Sequence, residues 1–158
     1  MIHAFVDGAC SGNPGPMGAG FVLRSIGNNR VLKEGRYGRP LTEGTNNRAE
    51  FLAVKLAMEE ISIEHRKDIH LVIFSDSQTA VNGLTGEWKL TSPELKQLKG
   101  EIIELANQFQ SVTIYHASAV TDSGEIGKAI AMADKLAKKA AQTQLAWKEV
   151  LDHNPEMF

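Results

Sequence analysis

Apolar and polar residues alternate in three stretches within the first 40 positions, which is the period-two pattern of half-buried β-strands. These stretches cover residues 2–7, 19–25 and 30–38, and the segment 26–29 between the last two has the length of a hairpin connection. Residues 8–18 separate the first two stretches and are rich in turn-forming residues. The pattern therefore predicts three consecutive antiparallel strands at the start of the chain.

After Pro40 the period changes to 3.6, which indicates a helix with Thr45 or Asn46 as its N-cap. The following run, 69–74, is apolar on nearly both faces, as expected for a central strand covered by helices on both sides. The same criteria predict four later elements: a short helix at 79–84, a helix that starts at Thr91-Ser92-Pro93-Glu94, a strand at 112–117 and a helix from about 125 to 147.

This order of elements predicts an α/β fold. We expect a mixed five-stranded sheet in which three antiparallel strands are followed by parallel strands, with helices on both faces. Residues 1–150 are predicted to form a single domain, and residues 151–158 a C-terminal tail. In sheets of this kind, ligands bind beyond the carboxyl ends of the strands.

Composition adds limits to this picture. The 158 residues include 17 Lys and Arg against 19 Asp and Glu, a net charge of −2 that argues against a generic nucleic-acid binder. The single cysteine, Cys10, fits a reducing compartment and excludes an internal disulfide and a cysteine zinc cluster. Neither an 18-residue apolar stretch nor a signal-peptide pattern occurs, so we expect a cytoplasmic protein without a membrane span.

Four acidic residues occupy positions where the predicted fold would bring carboxylates together. Asp7 and Asp76 follow strands that are expected to be parallel neighbours. Glu50 lies in the first turn of a helix, and Asp134 lies in the middle of the last helix. Each one alone also fits a turn residue, a helix cap or a solvated helix face. If they converge, two unit charges about 4 Å apart repel by roughly 4 kcal/mol at an effective dielectric constant near 20, so a cation must offset them.

Hard divalent cations are the partners that carboxylate oxygens favour, and the five scattered histidines form no zinc motif. Two Mg²⁺ ions roughly 3.5–4 Å apart would activate a water and stabilise the leaving oxygen in phosphodiester cleavage. A paired-carboxylate glycosidase is the competing use of such acids, and an aromatic content of only 6% disfavours it. The segment 12–20 lacks the Gly-Lys-Ser/Thr ending of a phosphate loop, which excludes that motif.

The four acids belong to four longer motifs, which are Asp7-Gly8-Ala9-Cys10-Ser11-Gly12-Asn13-Pro14-Gly15-Pro16, Thr45-Asn46-Asn47-Arg48-Ala49-Glu50, Ser75-Asp76-Ser77-Gln78 and Ala133-Asp134-Lys135-Leu136-Ala137. In this order, over about residues 1–145, the chain resembles the type 1 ribonuclease H family. The resemblance implies a ribonuclease H-like fold and a monomeric endonuclease that hydrolyses the RNA strand of RNA/DNA hybrids and leaves 5′-phosphomonoesters.

The resemblance also implies roles for individual residues. It makes the four acids the catalytic ligands of two metal ions, Mg²⁺ or Mn²⁺, and assigns them to Asp7, Glu50, Asp76 and Asp134. The family pattern places Asn13, Asn46 and Gln78 against the minor groove, where 2′-hydroxyl groups distinguish RNA from DNA. Thr45 matches a residue that grips a phosphate of the DNA strand.

Two departures from the family pattern concern substrate grip and proton transfer. The basic insertion that some members carry is reduced to residues 84–90 with one lysine. Other candidates for the grip are Lys89, Lys135, Lys138, Lys139 and Trp88. The histidine that the family usually presents before the last helix has its nearest counterpart in His116, without the following glycine. His116 is therefore either an ordinary strand residue or a proton shuttle near the leaving group.

Two other functions stay open on the sequence: a noncatalytic hybrid-binding module on the same fold, and another nuclease or integrase of the superfamily that acts on DNA. Retention of all four acids argues against the binding module. If those acids hold metal ions, the remaining balance is 17 basic against 15 acidic residues. The charge then predicts hybrid binding that is metal-dependent and comparatively weak.

Overall fold

A mixed sheet lies at the centre of the structure, and helices pack on both of its faces. The structure is a computed structural model that describes residues 1–10, 15–25, 31–117, 124–141 and 147–152. The strands in these residues are β1 (Ile2–Cys10), β2 (Gly15–Ser25), β3 (Val31–Gly44), β4 (His70–Ser75), β5 (Ser111–His116) and β6 (Trp147–Asp152). The α-helices are α1 (Asn46–Glu59), α2 (Gln78–Thr85), α3 (Pro93–Ala106) and α4 (Glu125–Ala141), and a 3₁₀ turn spans Arg66–Asp68.

The strand order across the sheet is β5-β4-β1-β2-β3-β6. The first three strands pair antiparallel in sequence order, whereas β4 is parallel to β1 and β5 is parallel to β4. The predicted α/β class and the mixed arrangement of antiparallel and parallel strands are thereby confirmed.

The prediction of five strands is wrong because a sixth strand pairs with the outer edge of β3. Strand β6 is antiparallel to β3, with Tyr37 opposite Lys148. The sequence pattern instead extended the last helix to Trp147 and began a tail at residue 151, whereas α4 is described to Ala141 and β6 runs to Asp152. The physical reason is that β3 offers a row of unpaired backbone groups, and a distant segment satisfies them. The predicted domain end at residue 150 therefore falls inside a strand.

Alternation along β1 explains how helices come to lie on both faces. Ile2, Ala4 and Val6 are buried in the larger apolar cluster, which includes residues of α1 and α3. Phe5 points to the opposite face and packs in a second cluster with residues of α4. A strand buried on both faces must be apolar at nearly every position, and β1 meets this requirement up to Val6.

Two glycines allow helices to approach the sheet closely near the carboxyl end of β4. A Cβ atom at Gly8 would collide with the backbone of Ala49 and Glu50 in α1, and a Cβ atom at Gly20 would collide with the backbone of α4 at Ala133. Because glycine has no Cβ, the two helices can lie directly on β1 and β2. This close approach carries the acids of α1 and α4 to the strand that holds Asp7.

Side-chain caps set the starts of three helices. Thr45 caps α1, where its Oγ1 accepts a hydrogen bond from the Arg48 N–H over 3.2 Å, as one of the two predicted alternatives requires. Ser77 caps α2 in the same way. Within the predicted start of α3, the cap is Ser92, and Pro93 follows it in the first turn. No helix in the described ranges is long and apolar enough to span a membrane.

Candidate metal centre

Asp7 lies in β1 immediately after the point where β1 stops pairing with β4. The parallel register ends at Val6 opposite Ser75, while β1 continues to pair with β2 as far as Cys10. The sequence pattern ended this strand at Asp7, so the strand is longer than predicted. The Asp7 side chain is only 3% exposed, and its Oδ1 accepts a hydrogen bond from the Gly8 N–H over 3.0 Å.

Asp76 lies in the turn between β4 and α2, and hydrogen bonds hold this turn on both sides. The Oγ of Ser75, a fully buried residue, accepts from the Ser77 N–H over 3.1 Å, and the Oγ of Ser77 accepts from the Ala80 N–H over 3.1 Å. The backbone carbonyl of Asp76 accepts from Nε2 of His116 over 3.0 Å. The Asp76 side chain itself is exposed.

Glu50 completes a group of three carboxylates. Asp7, Glu50 and Asp76 each offer one oxygen, and these oxygens lie within 4.8 Å of one another. Glu50 is buried in the first turns of α1, and its Oε2 atom has no hydrogen-bond partner. An unsatisfied buried carboxylate oxygen is costly, so its position beside two other acids indicates a site shaped for a cation.

Asp134 adjoins this group without being one of the three. Its side chain shares a hydrogen bond with Asp7 from the middle of α4. On its other side, Asp134 Oδ2 forms an ion pair with Nζ of Lys138 at 2.9 Å, one helical turn along α4. All four acids and Lys138 line one open cavity of about 460 Å³.

The carboxylates perturb one another in the absence of a cation. Burial, the hydrogen bond with Asp134 and the charge of Glu50 raise the pKa of Asp7 to about 10. Burial and the charge of Asp76 raise the pKa of Glu50 to about 7. The hydrogen bonds from Asp7 and from Lys138 lower the pKa of Asp134. The group therefore holds a proton at neutral pH that Asp7 shares with the neighbouring carboxylates.

These residues fit a hard divalent cation. The donor set consists of carboxylate oxygens, two of the acids are buried, and one buried oxygen is unpaired. A divalent ion would replace the shared proton and offset the repulsion that raises the pKa values of Asp7 and Glu50. Within the described part of the chain, Asp7, Glu50 and Asp76 form the one group of three metal-ligating side chains whose ligand atoms lie this close together.

The residues predicted to contact the substrate lie at different distances from this carboxylate group along the chain and on the surface. Asn46 is exposed and lines the same cavity, and Gln78 is exposed at the first position of α2. Trp88, in the loop between α2 and α3, is 47% exposed. Asn13 lies outside the described residues.

Sequence reasoning missed two features of this site. The ion pair between Lys138 and Asp134 could have been found from their spacing of four residues on a helix. The bond from His116 to the Asp76 carbonyl had no such signal, because it joins residues 40 positions apart.

The fold and this site define an α/β protein with an acidic cation site beside its central pair of parallel strands. Residues 1–142 match the family model of RNase H. Ribonuclease HI of Halobacterium salinarum is 36% identical over 121 residues, which make up 77% of this chain and 58% of that protein. Ribonuclease H of Ruegeria pomeroyi is 42% identical over 85 residues, 54% of this chain and 52% of the relative. The matches thus span little more than half of these relatives' length.

Solved structures agree with the sequence matches over nearly the whole chain. RNase H1 from Halobacterium salinarum superposes with a TM-score of 0.71 at 33% identity, covering 88% of this chain and 96% of that one. LC11-RNase H1, isolated from compost and solved in complex with an RNA/DNA hybrid, superposes with a TM-score of 0.73 at 26% identity, covering 89% and 96%. The chain belongs to the RNase H family.

Proposed function

We propose that this protein is a metal-dependent endoribonuclease that hydrolyses the RNA strand of RNA/DNA hybrids. The observation that carries the proposal is the convergence of Asp7, Glu50 and Asp76, with their oxygens within 4.8 Å, in a chain of the RNase H family. The hybrid as substrate is supported by LC11-RNase H1, which was solved with such a hybrid bound.

Asp7, Glu50, Asp76 and Asp134 are proposed to hold two Mg²⁺ ions, for which Mn²⁺ can substitute. When bound, the two ions would supply an activated water and charge stabilisation at the leaving oxygen. In the hydrolysis the water oxygen joins phosphorus and the bond from phosphorus to the 3′ oxygen breaks. One fragment then ends in a 5′-phosphate and the other in a 3′-hydroxyl, which takes up a proton. Burial of Asp7 and Glu50 fixes their carboxylates against the sheet and α1, so the site needs little reorganisation.

Three polar residues are proposed to contact the hybrid: Asn46, which lines the cavity, and Thr45 and Gln78, each of which is adjacent in sequence to a lining residue. The exposed amides of Asn46 and Gln78 carry both donors and an acceptor, which suits 2′-hydroxyl groups and base edges. Thr45 accepts the capping bond through its oxygen, and its hydroxyl hydrogen can still donate to a phosphate of the DNA strand. A minor-groove contact by Asn13, a grip on the hybrid by lysines such as Lys138, and proton transfer by His116 are proposed on the sequence pattern alone.

The proposal is tested by incubating wild-type protein with a labelled RNA/DNA hybrid, single-stranded RNA, duplex RNA and duplex DNA, each with Mg²⁺, with Mn²⁺ and with EDTA. We expect cleavage of the RNA strand of the hybrid only when metal is present. Asp7→Asn should abolish cleavage, while Asp68→Asn, an exposed acid in the 3₁₀ turn, should leave it unchanged.

Three outcomes would contradict the proposal in different ways. Hybrid binding without cleavage by either wild type or Asp7→Asn would identify a binding module. Cleavage of duplex DNA would identify another nuclease of the superfamily. Absence of both binding and cleavage with either metal would refute the proposed substrate. We also propose that the protein is monomeric and cytoplasmic, and size-exclusion chromatography with light scattering measures the first of these.

A further inference from the structure

Asp76 differs from the other two members of the carboxylate group in how its position is maintained. Asp7 and Glu50 are 3% and 8% exposed, so packing restricts their side chains. Asp76 is exposed, and packing leaves its side chain more freedom. Its carboxylate can stay within 4.8 Å of the other two only if the backbone of the turn is held in place. The groups that hold this backbone therefore bear directly on the site.

His116 provides one of these restraints from the neighbouring strand. In the parallel register between β4 and β5, His116 lies opposite Ser75, the residue before Asp76. Its Nε2 atom is 3.0 Å from the backbone carbonyl oxygen of Asp76. A carbonyl oxygen only accepts hydrogen bonds, so Nε2 carries a hydrogen and donates it. The bond ties the end of β5 to the turn that presents Asp76.

We propose that His116 is a positioning residue that holds the Asp76 turn in the geometry needed for cation binding. The inference rests on the proposed role of Asp76 as a metal ligand and adds a residue 40 positions away that acts through it. It differs from the proton-shuttle hypothesis, because a shuttle acts on the leaving group and does not require a bond to Asp76. It does not depend on the charge of the ring, since either form that carries a hydrogen on Nε2 can donate.

The test measures cation binding directly, by calorimetric titration of substrate-free protein with Mn²⁺ and with Mg²⁺. His116→Phe keeps a planar ring and removes the donor, and we expect it to raise the dissociation constant roughly 3- to 10-fold, the effect of one lost hydrogen bond. His116→Gln places an amide nitrogen near the position of Nε2 and should restore binding to within about 2-fold of wild type. His116→Asn, whose amide is too short to reach, should resemble the Phe variant and serves if that variant does not fold.

His70 provides a matched control at the opposite end of the same strand pair. Its Nδ1 atom lies 2.6 Å from Oγ of Ser111, so it is also a histidine that bonds across β4 and β5. It is separated from the His116 position by five steps of the parallel register. His70→Phe should leave the dissociation constant of the metal unchanged. Asp76→Asn should weaken cation binding in the same titration, which checks that Asp76 is a ligand.

The inference is overturned if His116→Phe and His116→Asn bind metal as wild type does, or if His116→Gln binds as weakly as they do. It is also overturned if Asp76→Asn binds metal normally. A fall in turnover of His116→Phe at unchanged metal affinity would support the shuttle instead. Because no hybrid is present in the titration, a failure of the proposed substrate leaves the result for His116 standing, and the two failures are distinguishable.

Discussion

Replacement of Asp7 by asparagine is expected to stabilise the metal-free protein while removing its function. Asp7 is 3% exposed and lies beside Glu50 and Asp76, so its negative charge is disfavoured in the folded state. This environment raises the pKa of Asp7 from 3.8 to about 10. Asparagine has nearly the same shape and carries no charge, so it avoids this penalty.

Two estimates give a similar magnitude at pH 7. The stability cost of a raised pKa accumulates between the unfolded and folded pKa values, at about 1.4 kcal/mol per pH unit, and stays constant above the folded pKa. From 3.8 to pH 7 this amounts to about 4 kcal/mol for Asp7. A pair of unit charges 4.8 Å apart repels by about 3.5 kcal/mol at an effective dielectric constant of 20. Because the buried amide of asparagine also needs partners, we expect Asp7→Asn to raise the free energy of unfolding by about 2–4 kcal/mol.

The sign of the pH dependence gives the sharper test. A carboxyl group with a raised folded pKa imposes no penalty below its unfolded pKa, where it is protonated in both states. The penalty then grows as the pH rises towards the folded pKa. The difference between Asp7→Asn and wild type should therefore be near zero at about pH 3.5 and largest at neutral pH and above.

The assay is urea unfolding followed by circular dichroism, in EDTA, at pH values between 3.5 and 8. Asp68→Asn removes an acid from an exposed turn and should show no such pH-dependent gain. Adding Mg²⁺ should raise the stability of the wild type more than that of Asp7→Asn, because binding to the folded state stabilises it. Equal stability of the two proteins at pH 7, or a gain at pH 3.5 as large as at pH 7, would refute the reasoning.

Two further substitutions test the packing of the fold, the first away from the site and the second beside it. The buried guanidinium of Arg66 donates hydrogen bonds to the carbonyls of Ile61 and Glu59. Arg66→Met should leave these acceptors unpaired and lower the free energy of unfolding, measured by urea unfolding, by about 2–4 kcal/mol. A loss below about 0.5 kcal/mol would contradict this expectation. Gly8→Ala should push α1 away from β1, lower stability by about 1–3 kcal/mol and weaken Mn²⁺ binding in calorimetry. Gly100→Ala, at an open position of α3, is the control and should leave the free energy of unfolding unchanged or raise it. Equal changes in stability and in Mn²⁺ binding for the two alanine variants would refute the close-packing argument.

Local patterns predicted most of the elements because each depends on residues close together in sequence. Alternation located β1, and the change to a period of 3.6 located α1 with Thr45 as one of two candidate caps. Strand β6 was not predicted because its backbone is stabilised by pairing with β3, which lies more than 100 positions earlier in the chain. The pattern located the start of α3 without choosing its cap, because Thr91 and Ser92 are adjacent residues of the same chemistry.

The predicted sheet topology indicated which acids of the site would lie close together. The expected parallel pairing of the first and fourth strands implied that Asp7 and Asp76 share an edge, and their oxygens do lie within 4.8 Å. The side chains' environments could not be predicted in the same way. That Glu50 has an unpaired buried oxygen depends on how closely α1 approaches the sheet, whereas the pairing of Asp134 with Lys138 follows from their spacing on α4.

The same contacts that bring these carboxylates together for a cation also lower the stability of the metal-free fold. Gly8 lets α1 approach until Glu50 and Asp7 lie side by side, and Gly20 does the same for α4 and Asp134. Each approach adds apolar contact to the core and brings one more carboxylate towards Asp7. Packing and electrostatics therefore oppose each other at this edge of the sheet, and a bound divalent ion would offset the repulsion between the carboxylates. The net charge of −2, which first argued against a nucleic-acid partner, follows in part from this arrangement, since four of the 19 acids are the residues that a cation would neutralise.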